Sequence, residues 1–257
     1  MIQYPNIDPI ALSVGPVSIY WYGLTYVGGL IFAWWLGRQR AQLAGSPIKV
    51  DQIDDLIFYA ALGIIAGGRI GYALFYGSGS LVDDPLRIVR IWEGGMSFHG
   101  GFLGVVVAMW LLCRNHKIEF GALVDFIAPL APVGLALGRL GNFINQELWG
   151  RPADVPWAMV FPNDPSGLAR HPSQLYQFAM EGMLLFGLLF WFTQRPRPRW
   201  SAAGCFLLGY GVLRSAAELF REPDAHIGFD ALGWITRGQL LSLPMIIVGA
   251  AIIIWAY

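Results

Sequence analysis

Seven long runs of apolar residues, separated by polar loops, constrain the fold of this chain more than any other feature. A helix that crosses a bilayer needs about 20 consecutive, mostly apolar residues. The runs cover residues 17–37, 56–76, 98–113, 122–140, 175–193, 202–220 and 239–257. With 56% hydrophobic and 13% charged residues, the chain has too little polar surface for a water-soluble domain of this size. We therefore predict an all-α, polytopic integral membrane bundle of about seven transmembrane helices, forming a single membrane domain over residues 1–257.

The third run, residues 98–113, is short for a complete crossing. Its glycines Gly100, Gly101 and Gly104 fit two interpretations, which are close packing against another helix and a break in the span. The expected number of spans is therefore about six to eight.

Lysine and arginine residues indicate how the chain is oriented in its membrane. They concentrate in three alternate loops, and an excess of these residues is typical of cytoplasmic loops. The basic residues of these three loops are Arg38, Arg40, Lys49, Arg114, Lys117, Arg195, Arg197 and Arg199. The amino terminus and the loops near residues 77–97, 141–174 and 221–238 are therefore predicted to lie outside. Residues 1–17 lack the basic region and cleavage site of a signal peptide, so we expect the first run to remain a span.

Ionisable side chains inside the runs are few, and each is a candidate for function. A charge at the bilayer centre costs about 2.5–3.5 kcal/mol on insertion scales. Asp125 and Glu181 lie near the ends of their runs, where solvated pairs account for them, so we do not assign them to a site. Arg69 fits a structural charge partner in a glycine-rich helix. The full set is Arg69, Asp125, Arg139, Glu181, Arg214 and Glu218, with His99 at a predicted membrane boundary.

Tyr210, Arg214 and Glu218 form a polar stripe on the sixth run. Their spacing of four residues places them on one helical face, near the predicted outer end. Two interpretations stay open: an internal Arg214–Glu218 pair that holds helices together, or a polar surface that meets a substrate.

The segment 138–150, GRLGNFINQELWG, carries the densest group of polar residues in the chain. Arg139 and Asn142 are three residues apart, so both can face one cavity. A guanidinium group suits a phosphate because its planar fork donates two hydrogen bonds and keeps its charge when poorly hydrated. Arg139 and Arg214 therefore predict a phosphate clamp near the outer leaflet. The alternative is that Glu147 and Glu218 neutralise the two arginines in purely structural pairs.

Other side chains extend the candidate site or limit its chemistry. His99 is either a hydrogen-bonded structural residue or a group that accepts a proton near neutral pH. Tyr26 belongs either to an interfacial aromatic belt or to the interior of the bundle. The histidines His99, His116, His171 and His226 are scattered, so no metal site is predicted. The formal net charge is zero, which suggests no nucleic-acid partner.

Distinct short motifs are distributed over nearly the whole length of the chain. They are SFHGG at 97–101, the segment 138–150, RHPSQLY at 170–176, YGVLR at 210–214, ELFREPD at 218–224 and GQLLSLP at 238–244. Together they resemble the motifs of the bacterial prolipoprotein diacylglyceryl transferases, and segment 138–150 resembles the signature of that family.

The resemblance implies a seven-span, multi-pass enzyme of the bacterial inner (plasma) membrane, with its active site toward the periplasm. Its donor would be phosphatidylglycerol. Its acceptor would be the lipobox cysteine of a preprolipoprotein that still carries its signal peptide. The products would be a diacylglyceryl thioether and glycerol 1-phosphate, with no cofactor and with membrane lipids as the remaining partners.

The resemblance also assigns residues to roles. His99, Arg139 and Arg214 match family positions that are important for activity, so they would be catalytic. From their chemistry, we expect His99 to accept the thiol proton and the arginines to hold the phosphodiester. A positive field from the arginines is the alternative source of thiolate. The expected substrate-binding positions, which include two acids from the polar segments, are Tyr26, Arg139, Asn142, Glu147, Gly150, Tyr210 and Glu218.

Other functions stay open from the sequence. Intramembrane arginine and glutamate also mark transporter and channel pathways, although no inverted repeat is visible. A different lipid enzyme would use the same arginines with another acceptor. Segment 170–176 is either a structural entry to the fifth run or part of the site, and the proline-containing loop 151–169 is a candidate lid.

Overall fold

The computed structural model describes residues 2–15, 17–75, 85–90, 94–223, 229–231 and 235–257. Most of these residues are helical. The α-helices are α1 (Trp21–Ala41), α2 (Ile53–Phe75), α3 (Phe98–His116), α4 (Phe120–Ile127), α5 (Ala131–Ile144), α6 (Ser173–Gln177), α7 (Leu185–Phe192), α8 (Ser201–Glu218) and α9 (Arg237–Ala256). A π-helical segment, Phe178–Leu184, joins α6 to α7, so that Ser173–Phe192 is one continuous helix. Short 3-10 helices cover Val50–Gln52 and Pro85–Ile88.

Short strands qualify the all-α prediction. They are β1 (Ile2–Gln3), β2 (Ile10–Val14), β3 (Val17–Tyr20), β4 (Met159–Val160), β5 (Ala169–Arg170), β6 (Phe229–Ala231) and β7 (Ile235–Thr236). β4 pairs in parallel with β1 and antiparallel with β5, while β2–β3 and β6–β7 form antiparallel pairs. β3 occupies the start of the first predicted span, so α1 begins at Trp21.

The chain divides into two compact units. The first comprises Met1–Ala33 and Val124–Tyr257, and the second comprises Trp34–Leu123. In the second unit, α2 packs against α3 through facing glycines. A Cβ atom added at Gly67 would lie 2.7 Å from the Cα atom of Gly104, and one added at Gly71 would lie 2.7 Å from that of Gly100. The glycines of α3 therefore serve close packing, and α3 runs unbroken for 19 residues.

The broken span is the fourth predicted run, where the sequence suggested a single helix. α4 and α5 are bent by 48° across residues 128–130. Pro129 favours a helix end at the residue before it, and Pro132 in the first turn of α5 needs no backbone donor. Asp125 of α4 accepts hydrogen bonds from the backbone nitrogens of Trp200 (2.5 Å) and Ala203 (2.8 Å). That carboxylate therefore caps the start of α8, which gives it a structural role.

The helices are those of a membrane protein. Among the described residues, four helices are long and apolar enough to cross a bilayer: Val50–Phe75, Phe98–His116, Ser173–Phe192 and Arg237–Ala256. The bent pair α4–α5 makes a fifth if it counts as one span. The predicted loops at 77–97 and 221–238 lie partly outside the described residues.

Candidate active site

Five charged side chains of the first unit form a continuous chain of ion pairs. Arg139 Nη2 lies 3.2 Å from Glu181 Oε2, and Glu181 Oε1 lies 3.2 Å from Arg214 Nη1. Arg214 Nη2 is 2.7 Å from Glu218 Oε2, and the two groups form an ion pair whose angles do not fit a hydrogen bond. Glu218 Oε1 then lies 3.3 Å from Arg221 Nη1. Three positive and two negative charges thus alternate along this ion-pair chain.

Burial differs along the ion-pair chain. The carboxylates of Glu181 and Glu218 are inaccessible to solvent or nearly so. The side chain of Arg139 is 21% exposed, against 11% for Arg214 and 12% for Arg221. Arg139 is therefore the end of the ion-pair chain that an incoming anion reaches most easily.

Glu181 takes its position from the π-helical segment. The segment Phe178–Leu184 widens the helix by an inserted residue, a local feature that is frequent at functional sites. Next to Glu181, a Cβ atom added at Gly182 would lie 2.9 Å from the Cα atom of Ala136. This glycine lets the π-helical segment pack closely on α5, and the carboxylate thereby meets Arg139.

Tyr26 lies beside the residue that precedes Arg139. A Cβ atom added at Gly138 would lie 3.8 Å from the Tyr26 hydroxyl, and that hydroxyl is 3.0 Å from the hydroxyl of Tyr22. A Cβ atom at Gly141 would lie 2.9 Å from Thr25 Oγ1. The glycines of α5 thus let α1 approach and place Tyr26 next to the arginine.

Asn142 and Glu147 form a second polar group just after α5. Glu147 Oε2 accepts a 3.4 Å hydrogen bond from Asn142 Nδ2, and Oε1 accepts one of 3.0 Å from Asn145 Nδ2. The Glu147 carboxylate thus accepts hydrogen bonds from two asparagines, while Arg139 pairs with Glu181. The predicted alternative paired Arg139 with Glu147, and this is wrong because Arg139 pairs with Glu181. The second pair of that alternative, Arg214 with Glu218, is confirmed.

The start of the fifth predicted span holds this second group in place. Ser173 Oγ donates a 2.6 Å hydrogen bond to the carbonyl of Leu148, and Gln174 Nε2 donates one of 2.5 Å to that of Glu147. Leu148 has a φ of 57°, in the left-handed region where non-glycine residues are uncommon. These bonds secure a strained loop, which favours the structural interpretation of segment 170–176.

Gly150 lies where three pieces of backbone converge. Its nitrogen donates to the carbonyl of His171 (2.9 Å), and it forms a bridge with Arg221. A Cβ atom there would lie 2.5 Å from the carbonyl oxygens of His171 and Phe220. Packing therefore accounts for a glycine at this position.

An extramembrane ion pair supports the same loop. Arg170 Nη1 donates to the carbonyl of Gly150 (3.2 Å), and its Nε donates to Asp164 (2.5 Å). Burial opposes ionisation of the Asp164 carboxyl, but hydrogen bonds from Arg170 and Ser166 outweigh it and hold its pKa below the ordinary value.

Tyr210 and Gly238 adjoin the ion-pair chain. The Tyr210 side chain lies near Arg139 and stacks on Phe206 at 6.0 Å between ring centroids. A Cβ atom at Gly238 would lie 2.6 Å from Glu218 Oε2, so this glycine makes room for the carboxylate.

His99 and Arg69 belong to the second unit. His99 is exposed in the first turn of α3, and its ring packs edge-on against Phe98 at 5.7 Å. Arg69 donates to the carbonyls of Ile88 (3.3 Å), Gly94 and Gly95 (2.9 Å). Arg69 thus organises backbone, in line with its predicted structural role.

Two members of the ion-pair chain, Glu181 and Arg221, were not predicted from the sequence to belong to the site. Glu181 was visible as an acid inside an apolar run, but its position near the end of that run concealed its burial. Arg221 is three residues after Glu218, a helical spacing that indicates contact.

Comparisons with known proteins agree with the motifs. The model of the prolipoprotein diacylglyceryl transferase family matches residues 9–255. The chain is 55% identical over 267 residues to the phosphatidylglycerol–prolipoprotein diacylglyceryl transferase of Teredinibacter turnerae, covering 100% of this chain and 93% of that protein. The proteins of that name from Marinomonas sp. and Azotobacter vinelandii are 56% and 52% identical. These alignments cover 98% and 100% of this chain, and 94% and 97% of the relatives. The chain therefore belongs to the prolipoprotein diacylglyceryl transferase family.

Proposed function

We propose that this chain transfers the diacylglyceryl group of phosphatidylglycerol to the cysteine thiol of a prolipoprotein. One structural observation carries the proposal. Arg139 and Arg214 share the buried carboxylate of Glu181, and Arg139 is the most exposed arginine of the ion-pair chain. The phosphodiester of phosphatidylglycerol carries one negative charge, and the planar guanidinium group of Arg139 can meet it with two hydrogen bonds.

The reaction is a substitution at carbon. The thiolate sulfur attacks the glycerol carbon that bears the phosphodiester, and a thioether bond forms as the carbon–oxygen bond breaks. The electron pair of that bond stays on the phosphate oxygen, so glycerol 1-phosphate leaves with a second negative charge. Arg139 and Arg214 stabilise this developing charge, and a well-placed donor of this kind contributes about 3–4 kcal/mol.

The thiol needs a proton acceptor, because the thiolate is the nucleophile and free cysteine has a pKa of about 8.5. His99 matches a family motif, and because its imidazole can accept a proton near neutral pH, we assign it this role. Replacement with glutamine tests the assignment, since glutamine retains hydrogen bonding but accepts no proton. Near-normal turnover by His99→Gln, beside an inactive Arg139→Ala, would leave the positive field of the arginines as the source of thiolate.

The remaining assigned residues bind or position the lipid. Asn142, Tyr26 and Tyr210 contact the headgroup region around Arg139. Glu147 positions Asn142, and Glu218 positions Arg214. Gly150 keeps the loop that bears Glu147 close to the backbone of segment 170–176.

The topology that goes with this function has seven spans in one membrane domain. α1, with 21 residues, and α8, with 18, have the length of a span. Polar residues such as Tyr26 and Arg214 lower their mean hydropathy. Together with the four apolar helices and the bent pair, they bring the number to seven. The amino terminus and the active site lie on the periplasmic side of the bacterial inner membrane, where a preprolipoprotein presents its lipobox cysteine.

A reconstituted assay tests the proposal. The purified protein is incubated with phosphatidylglycerol and a lipobox peptide, and the peptide is followed by mass spectrometry. We expect a diacylglyceryl mass gain that prior alkylation of the cysteine blocks. Arg139→Ala and Arg214→Ala should abolish it. Arg38→Ala, which removes an exposed ion pair with Asp54 and a contact with the Trp34 ring, should not.

Two outcomes would contradict the proposal. Consumption of phosphatidylglycerol without any dependence on the thiol would indicate another lipid enzyme. No consumption by a folded protein with a soluble peptide would favour a transporter.

A further inference from the structure

Gln177 is a fully buried amide without a hydrogen-bond partner. Its side chain is inaccessible to solvent, and neither Oε1 nor Nε2 bonds to any group in the described part of the chain. An unsatisfied buried donor or acceptor costs about 1–3 kcal/mol, so most buried amides in native proteins are paired. An apolar side chain of similar size would avoid this cost, which indicates that the amide serves a purpose other than stability.

Gln177 lies within the elements that form the candidate active site. It ends α6, one helical turn before Glu181, which pairs with Arg139 at 3.2 Å. One turn in the other direction, Gln174 bonds to the carbonyl of Glu147 at 2.5 Å. α6 packs against both α5 and α8, the helices that carry Arg139 and Arg214. The unpartnered amide therefore lies on a helix that packs against the helices carrying both arginines.

The hydrogen-bonding groups of the Gln177 amide indicate which part of the lipid it would bind. A phosphate oxygen of a diester only accepts hydrogen bonds, and the arginines already supply donors for it. An amide offers both a donor and an acceptor, and a hydroxyl group matches both at once. The group that departs from phosphatidylglycerol is glycerol 1-phosphate, and its glycerol part carries two free hydroxyls that a phospholipid with an amine headgroup such as ethanolamine lacks.

We infer that the Gln177 amide hydrogen-bonds a hydroxyl of the glycerol headgroup and thereby selects phosphatidylglycerol among phospholipids. This inference rests on the proposed function. Gln177 lies one helical turn from Glu181, toward the polar loop that precedes Ser173. The three-carbon headgroup beyond the phosphate spans this separation. Arg139 and Arg214 thus bind the part common to all phospholipids, and Gln177 binds the part that differs.

A pair of matched lipids tests the inference. Phosphatidylpropanol has the same acyl chains, phosphodiester and scissile bond, but its headgroup carries no hydroxyl. We expect wild-type protein to use phosphatidylglycerol with a kcat/KM roughly tenfold or more above that for phosphatidylpropanol, because an unmatched buried polar group penalises the analogue. Gln177→Leu should lower kcat/KM for phosphatidylglycerol toward that of the analogue and leave turnover of the analogue unchanged or higher.

Thermal unfolding in detergent separates this role from a structural one. Gln177→Leu should melt at the wild-type temperature or above it, because it removes an unsatisfied amide. The matched control is Gln174→Leu, which loses a hydrogen bond to Glu147 and should melt lower. If Gln177→Leu does not fold, Gln177→Met provides a flexible apolar replacement of similar length.

The outcomes are distinct from those that test the proposed function. Equal use of both lipids by wild-type protein would overturn the inference, and so would an equal loss for both lipids in Gln177→Leu. If wild-type protein forms no thioether product from either lipid, the proposed function itself fails.

Discussion

Glu181 and Arg214 are 33 residues apart in the chain, yet Glu181 Oε1 and Arg214 Nη1 are separated by only 3.2 Å. The second oxygen of the same carboxylate lies 3.2 Å from Arg139 Nη2. One buried acid therefore sets the spacing of two guanidinium groups that belong to different helices. Because solvent does not reach this carboxylate, water cannot substitute for it.

Removal of the Glu181 charge should destabilise the protein and abolish transfer. Glu181→Gln leaves the partly buried Arg139 and Arg214 without their shared buried counter-ion, and removing one partner of a buried pair costs about 3–5 kcal/mol. Thermal unfolding in detergent and the peptide assay measure the two effects. Glu222→Gln makes the same chemical change at the partly exposed pair with Arg170, and we expect it to cost less than about 1 kcal/mol. Equal effects of the two substitutions would show that Glu181 is not a bridging group.

Replacement of Arg139 with lysine should preserve folding and reduce transfer. Lysine keeps the positive charge, but its ammonium group lacks the planar fork that binds a phosphate through two bonds. We expect kcat to fall by about two orders of magnitude, as for loss of one donor to a developing charge. The control is Arg38→Lys, at an exposed pair with Asp54, which should retain wild-type turnover. A fully active Arg139→Lys would mean that charge alone suffices.

A methyl group at Gly150 should disturb the loop that follows α5. It would lie 2.5 Å from the carbonyl oxygens of His171 and Phe220, so the backbone must move. We expect Gly150→Ala to lower the melting temperature and turnover together. Gly187→Ala adds the same group in α7, where no atom lies within 4 Å, and should be neutral or slightly stabilising. Wild-type stability of Gly150→Ala, with activity lost, would instead favour a direct contact with substrate.

Acid should weaken the extramembrane loop through Asp164. The pKa of this carboxyl is lower in the folded protein than in the unfolded chain, so its contribution is fully present above the unfolded pKa, at about pH 4 and higher. That contribution is lost as the pH falls through the lower, folded pKa. Melting temperatures of wild-type protein and Asp164→Asn should therefore differ most near neutral pH and converge in acid. A difference that stays constant with pH would exclude ionisation of Asp164 as its cause.

Much of the helical pattern was predictable, because long apolar runs report directly on the bilayer. The start of α2 differs by three residues from the predicted boundary, and the start of α3 agrees. The sequence suggested a possible break in the third run, but the break lies in the fourth. Glycines in α3 indicated either packing or interruption, and only the three-dimensional approach of α2 decides between these. The prolines at 129 and 132 were the better signal for a break.

The candidate site was predictable in part. Arg139, Arg214 and Glu218 stood out because a charge in an apolar run is costly, and all three lie in the ion-pair chain. The counter-ion of Arg139 was not predicted. The position of Glu181 near the end of its predicted span was a poor guide to its burial, since neighbouring helices pack against that part of the helix.

The π-helical segment makes the site sensitive to the length of the chain as well as to its composition. Deletion of a single residue between Phe178 and Leu184 would return the helix to regular α geometry and rotate every residue on one side of the deletion by about 100° relative to the other. The apolar face of α7 and the carboxylate of Glu181 then could not both face their present partners. A deletion that leaves the hydrophobicity of the span intact would thereby separate membrane insertion from the assembly of the ion-pair chain.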